Sequence, residues 1–122
     1  MPLVSKLFRD NKRLQNCLII DSAHVAPGSR GQHVALIQYA VLSLEHGAIT
    51  AHEIRNFFYG PTTAAVVLAY KRRRKIINFF YQNAADNIVG RMTIAALDKE
   101  MAIAEWADMA GFHRPGLDIL PG

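Results

Sequence analysis

The sequence predicts an all-α fold: three helices, with an N-terminal extension and a C-terminal helical tail. Apolar residues recur at spacings of three and four in three separate stretches. Gly- and Pro-containing turns divide those stretches, and one helix-start pattern occurs twice. With 122 residues, 51% hydrophobic and 20% charged, the chain has room for one domain and enough apolar surface to build its core.

The first helix is marked by Val34, Ile37, Val41 and Leu44, one stripe of an amphipathic face. The turn Pro27-Gly28-Ser29-Arg30-Gly31 precedes it, and Ser29 is suited to cap its first amides. The second is expected from about Pro61 to about Lys75. Pro61 fits a first helical position, where its missing N–H is not needed, and Val66, Val67 and Tyr70 face inward. The third starts near Arg91, carries Ile94, Leu97 and Met101, and runs through Trp106 until Gly111 and Pro115 stop it.

Between these lies a short helix around residues 50–54, with Thr50 as cap and Glu53 at capping-box spacing. The run Ile76-Ile77-Asn78-Phe79-Phe80-Tyr81 reads equally as the end of a long second helix or as a strand. Leu14, Cys17, Leu18, Ile19 and Ile20 give the N-terminal segment groups to pack on the helices. Trp106 is expected to dock the third helix on that segment.

The helix-start pattern is an internal repeat. Gly60-Pro61-Thr62-Thr63-Ala64-Ala65-Val66-Val67 aligns without gaps on Gly90-Arg91-Met92-Thr93-Ile94-Ala95-Ala96-Leu97. Glycine leaves space for a close backbone approach, and the threonine can bond back to the free groups of the first turn.

Three stretches together resemble a known family. The first is Gly28-Ser29-Arg30-Gly31 followed by Val34, Ile37, Gln38, Val41 and Leu44. The second is Tyr59-Gly60-Pro61-Thr62-Thr63-Ala64-Ala65-Val66-Val67 with Tyr70 and Lys71, and the third is Asp86-Asn87-Ile88-Val89-Gly90-Arg91-Met92-Thr93 with Ala95-Ala96-Leu97. In this order they resemble the peptidoglycan-binding-like domain, a three-helix module. Phe57 stands where that family usually has glycine, Asn87 replaces another glycine, and Lys71 replaces a glutamine. The segment from Lys71 to Asp86 is longer than is typical. The resemblance divides the chain into an extension (1–27), the module (28–97) and a C-terminal helix and tail (98–122).

The resemblance implies non-catalytic attachment to bacterial cell-wall peptidoglycan, beside a fused or partner wall hydrolase. It places ligand contacts at Arg30, Asn56, Phe58, Tyr59 and Arg91. Arginine pairs with carboxylates, and aromatic faces stack on sugar rings. A protein-interaction module that kept the fold, and a small muramidase or amidase, are the alternatives. The N-terminus carries Lys6, Arg9, Lys12 and Arg13 where a cleavable export signal needs an apolar stretch. Action at the wall or periplasm then implies release by lysis or delivery by a secretion machine; otherwise the chain stays in the cytoplasm.

The remaining chemistry is sparse. Lys+Arg number 14 against 10 Asp+Glu, a net +4, and five of the cations form the run Lys71-Arg72-Arg73-Arg74-Lys75. That run is either a solvated helix end suited to the helix dipole or an anion-binding patch. Nucleic acid is not the expected partner, because no recognised module accompanies the charge. His24, His33, His46, His52 and His113 show no metal-ligand spacing, so neither metal nor cofactor is expected. Glu45 and Glu53, which border the loop after the first helix, are the one carboxylate pair to weigh for glycoside cleavage. Glu100 and Glu105 share a helix and do not face each other. The single cysteine, Cys17, excludes an internal disulfide and sits in an apolar run that favours an inert thiol. No apolar run approaches the ~20 residues of a membrane helix.

Overall fold

The computed structural model describes residues 2–45, 47–77 and 84–110. Among the described residues the regular elements are all helical: α1 (Lys12–Cys17), a 3₁₀ turn (Asp21–Ala23), α2 (Gln32–Leu44), α3 (Ala51–Arg55), α4 (Pro61–Arg74) and α5 (Arg91–Met109). Extended pairing among the described residues is confined to two isolated antiparallel bridges, Val25 with Val89 and Arg30 with Phe58.

The stripes expected from sequence are the buried ones. Val34, Ile37 and Val41 of α2, Val66, Val67 and Tyr70 of α4, and Ile94, Leu97 and Met101 of α5 enter one core, and Leu44, the last of the α2 stripe, is half-buried against it. α2 packs against both α4 and α5. Ser29 does not cap α2. The helix starts two residues later, behind Gly31 at φ 129°, and the Ser29 hydroxyl instead accepts from the Ala26 amide at 3.4 Å. That φ disfavours any residue with a Cβ. α4 stops where Lys75 turns left-handed at φ 57°, and the Ile76 amide then reaches back to the Lys71 carbonyl at 2.9 Å. Ile76 and Ile77 therefore do not prolong α4; Asn78, Phe79, Phe80 and Tyr81 lie outside the described residues.

The N-terminal segment belongs to the same core through Leu3, Phe8, Leu14 and Cys17. Its backbone is held by two carboxylates of α5. Asp98 accepts from the Val4 amide at 3.0 Å and the Ser5 amide at 2.8 Å, and Glu105 accepts from Lys6 at 2.8 Å and Leu7 at 3.2 Å. Trp106, expected to dock α5 on this segment, lies away from the core side of the helix. At about 100° per residue it lies roughly 140° around α5 from Met101, and 60% of it is exposed.

Candidate functional site

The turn before α2 and the segment after α3 are stitched together by backbone. Gly28 at φ 99° and Gly31 at φ 129° bend the turn. The Gly28 amide then donates to the Tyr59 carbonyl at 2.8 Å, Tyr59 to Ser29 at 2.9 Å, and Gly31 to Phe57 at 3.1 Å. This pairing sets Arg30 opposite Phe58, with the guanidinium carbon 4.5 Å from the ring centroid. A cation over an aromatic face is electrostatically favoured, and stacking leaves the N–H edge of the guanidinium free for an acceptor. On the other side the His52 ring meets Phe58 edge-on, with centroids 6.4 Å apart. Asn56 ends α3, and its amide nitrogen donates to the His52 carbonyl at 2.7 Å.

Three of the five expected ligand residues, Arg30, Asn56 and Phe58, are thus gathered on one loop surface. Tyr59 is not part of it. Its ring is wholly buried and its hydroxyl donates to the Asn87 carbonyl at 2.5 Å. Burial first, and the charge of Asp86 second, hold that phenol protonated far above the ordinary range. Arg91 is engaged elsewhere as well, donating to the Ile19 carbonyl at 3.3 Å and lying 3.7 Å from Asp21.

Behind the loop stands a buried polar network that sequence reasoning missed. Pro61 has no N–H, so the free amides at the start of α4 are those of Gly60, Thr62 and Thr63. All three donate to the Glu53 carboxylate, at 3.1, 3.0 and 2.8 Å, and the hydroxyls of Thr62 and Thr63 add bonds of 2.6 and 2.7 Å. Burial opposes the charge on Glu53, but these hydroxyls and amides outweigh it and bring the carboxyl down to about 2. Gln38, buried on α2, joins the network: its amide donates to the Phe58 carbonyl and the Thr63 hydroxyl, both at 3.0 Å. The signal available in sequence was the threonine pair behind Gly60-Pro61, which advertised donors without naming their acceptor.

The basic run does not act as one patch. Lys71 is buried, its ammonium 2.6 Å from Asp86 and 2.7 Å from the Ile88 carbonyl. Arg73 pairs with Glu45 at 3.0 Å. Arg74 lies 3.8 Å over the Tyr70 ring, reaches both oxygens of Glu100 at 2.5 and 2.8 Å, and donates to the Leu44 carbonyl at 3.3 Å. Burial would raise the Glu100 carboxyl, yet Arg74 and the Tyr70 hydroxyl keep it below its usual value. Arg72 and Lys75 remain exposed, without an ion pair among the described residues. The helix therefore uses three of its cations to fasten itself to neighbouring elements.

The carboxylate pair separates. Glu53 serves the first turn of α4, while Glu45 lies against Arg73 and Arg74 in its last turn. At about 1.5 Å per residue these ends lie roughly 15 Å apart. Glycosidase carboxylates stand about 5 to 9.5 Å apart, so this pair does not form one. Cys17 is buried and its thiol is pushed up to about 11 by that burial, against the lowering effect of Arg13. A protonated thiol at neutral pH is a poor nucleophile. Burial, seconded by Arg13, lowers the His33 imidazole and favours its neutral form. His24 lies 3.6 Å from Asp21; His46 and His113 lie outside the described residues. Among the described residues no group of three His, Cys, Asp or Glu is placed to hold a metal, and no helix is long and apolar enough to cross a membrane.

Comparison with protein-family models, with curated proteins and with solved structures gives no match.

Proposed function

We propose that the chain binds bacterial cell-wall peptidoglycan without reacting on it, through the surface made by Arg30, Asn56 and Phe58. The observation that carries the reading is the Arg30 guanidinium stacked on Phe58 at 4.5 Å. A carboxylate of a wall stem peptide fits its N–H edge, and a sugar fits beside the aromatic ring. The reading is supported by the ordered resemblance over residues 28–97, which also suggests the family's three-helix arrangement for α2, α4 and α5. In this role the chain would direct a fused or partner wall hydrolase, or a delivered effector, to its substrate at the wall.

Co-sedimentation with purified sacculi tests it. The native chain pellets at low salt, and Arg30→Ala weakens pelleting by roughly tenfold, the worth of one charge-assisted contact. A native chain that stays in the supernatant overturns the proposal.

A second reading, a protein-interaction module, draws on a different face. Tyr39 of α2 is 60% exposed. Tyr39 borders an open groove of about 320 Å³ lined also by Leu7, Ser43, Met101 and Ala104. A defined oligomer in light scattering, together with no sacculus binding, would favour this reading.

A further inference from the structure

The outward face of α5 is apolar along the length of the helix. Met92, Ala95, Lys99, Ala102, Trp106 and Met109 stand at alternating spacings of three and four, the a and d positions of a heptad. At about 100° per residue they lie away from the core stripe of Ile94, Leu97 and Met101. All are exposed except Ala102, which is half-buried, and Met92, Trp106 and Met109 are 49%, 60% and 71% exposed. A surface helix ordinarily turns its charges to this side. Here Asp98, Glu100 and Glu105 spend theirs on the N-terminal segment and on α4, so Lys99 is the one charged residue in the seam.

The order of large and small residues says what fits the seam. Set against itself in the opposite direction, it pairs Met92 with Met109, Ala95 with Trp106 and Lys99 with Ala102. Each indole then faces an alanine, which leaves the room that a large side chain needs. The Lys99 stem crosses Ala102 and carries its ammonium out to water. Run in parallel, the same seam would stack Trp106 on Trp106 and Lys99 on Lys99. Ile103 and Val4, both exposed, widen the surface; Asp98 holds the Val4 amide. The exposed parts amount to on the order of 600 Å² per copy, so a pair buries roughly 1,200 Å², the lower end of specific interfaces. A lipid surface suits the helix less, because interfacial helices carry Lys and Arg along their flanks, whereas Asp98, Glu100 and Glu105 are acidic.

We propose that the chain forms a two-fold dimer by antiparallel pairing of α5 with α5 of a second copy, in the register that sets Ala95 against Trp106. An isologous contact of this kind closes at two copies. The surface is separate from the Arg30–Phe58 loop and from the groove beside Tyr39, so the inference stands apart from both readings above.

Sedimentation equilibrium of the full chain tests it. The native chain shows a reversible monomer–dimer equilibrium at micromolar concentrations, as an interface of this size allows. Ala95→Glu sets a carboxylate against the indole and weakens the dimer more than about tenfold. The position is exposed and glutamate favours helix, so the circular dichroism of this variant stays native. Lys99→Met keeps the stem, removes two like charges from the seam and tightens the dimer roughly three- to tenfold, a gain that misfolding does not produce. Direction is read by cross-linking under a mild oxidant, with Cys17 buried out of reach. Met92→Cys and Met109→Cys chains cross-link when mixed, and neither does so alone. A native chain that is monomeric at every concentration overturns the proposal. Cross-linking of Met92→Cys with itself, or a dimer that Tyr39→Glu breaks and Ala95→Glu does not, places the interface elsewhere and overturns it too. A monomer that floats with anionic phospholipid vesicles assigns the face to a membrane surface, with the same consequence.

Discussion

Gly60 leaves the space that Glu53 fills. A Cβ built on Gly60 would lie 2.6 Å from the Glu53 carboxyl carbon, so the glycine is required for room. Its φ of −99° is one that any residue adopts. Gly60→Ala is expected to cost about 2 kcal/mol through overpacking. In a Glu53→Ala background that penalty shrinks, because the added methyl then meets empty space. Urea unfolding of the two single variants and the double variant measures the coupling; strict additivity would show that Glu53 is not what the glycine accommodates.

Acid sensitivity follows from the same carboxylate. Glu53 falls from an ordinary 4.5 to about 2 in the folded chain. A folded-state value below the unfolded one stabilises fully above about 4.5 and is lost as pH drops toward about 2. The expected contribution, allowing for solvent screening, is on the order of 2 kcal/mol. Glu53→Gln removes it by setting an amide NH₂ against the donors of Thr62 and Thr63. The stability gap between native and Glu53→Gln chains therefore narrows as pH is lowered through that window, as followed by denaturant unfolding at stepped pH.

The basic run predicts unequal substitutions. Arg74→Met strands Glu100 and the Leu44 carbonyl and is expected to cost about 2–3 kcal/mol. Lys71→Ala leaves Asp86 and the Ile88 carbonyl without their ammonium and costs about 2 kcal/mol. Arg72→Ala, on the exposed side, stays within about 0.5 kcal/mol. Equal effects at all three positions in thermal unfolding would restore the view of a uniformly solvated helix end.

Asp98→Ala releases the backbone of the N-terminal segment from α5. Its carboxylate holds the amides of Val4 and Ser5, so those amides are expected to exchange with deuterium faster. Global stability should fall by about 2 kcal/mol, because Leu3 and Phe8 lose the anchor that seats them in the core. Unchanged protection at residues 4 and 5 would show that Leu3 and Phe8 alone hold the segment.

Helix positions were legible in the sequence because helices are local. Three- and four-residue spacing marked α2, α4 and α5, Pro61 marked a start, and Thr50 marked the cap of α3, where its hydroxyl accepts from the Glu53 amide. The capping-box spacing predicts Glu53's place at the start of α3, and only the Thr50 half of that box forms. The carboxyl group leaves its own helix and serves the next one. The two copies of the Gly-x-x-Thr pattern are alike in sequence but not in surroundings: Gly60 faces Glu53, whereas Gly90 faces the His24 ring, 3.2 Å from where a Cβ would sit.

The candidate site was half legible for the same reason. Arg30, Asn56 and Phe58 sit on two turns that Gly28, Gly31 and the end of α3 announce locally, and the bridge between those turns joins them. Tyr59 and Arg91 belonged to the same motifs, yet their directions depended on residues far along the chain, Asn87 for one and Ile19 and Asp21 for the other. The exposure of Trp106 was not legible, because its angular position on α5 matters only once the core side of α5 is known.

The sequence by itself determined the all-α class, the approximate spans of α2 to α5 and the apolar stripes, since each depends on backbone propensity and periodicity over a few residues; α1 and the start of α2 it did not. Only the tertiary structure decided which charges are spent. Lys71, Arg73, Arg74, Glu45, Glu53 and Asp98 look alike in composition to any solvated ion. Desolvation and the partner each one meets across the fold turn them into fasteners, and leave Arg30 exposed over the Phe58 ring.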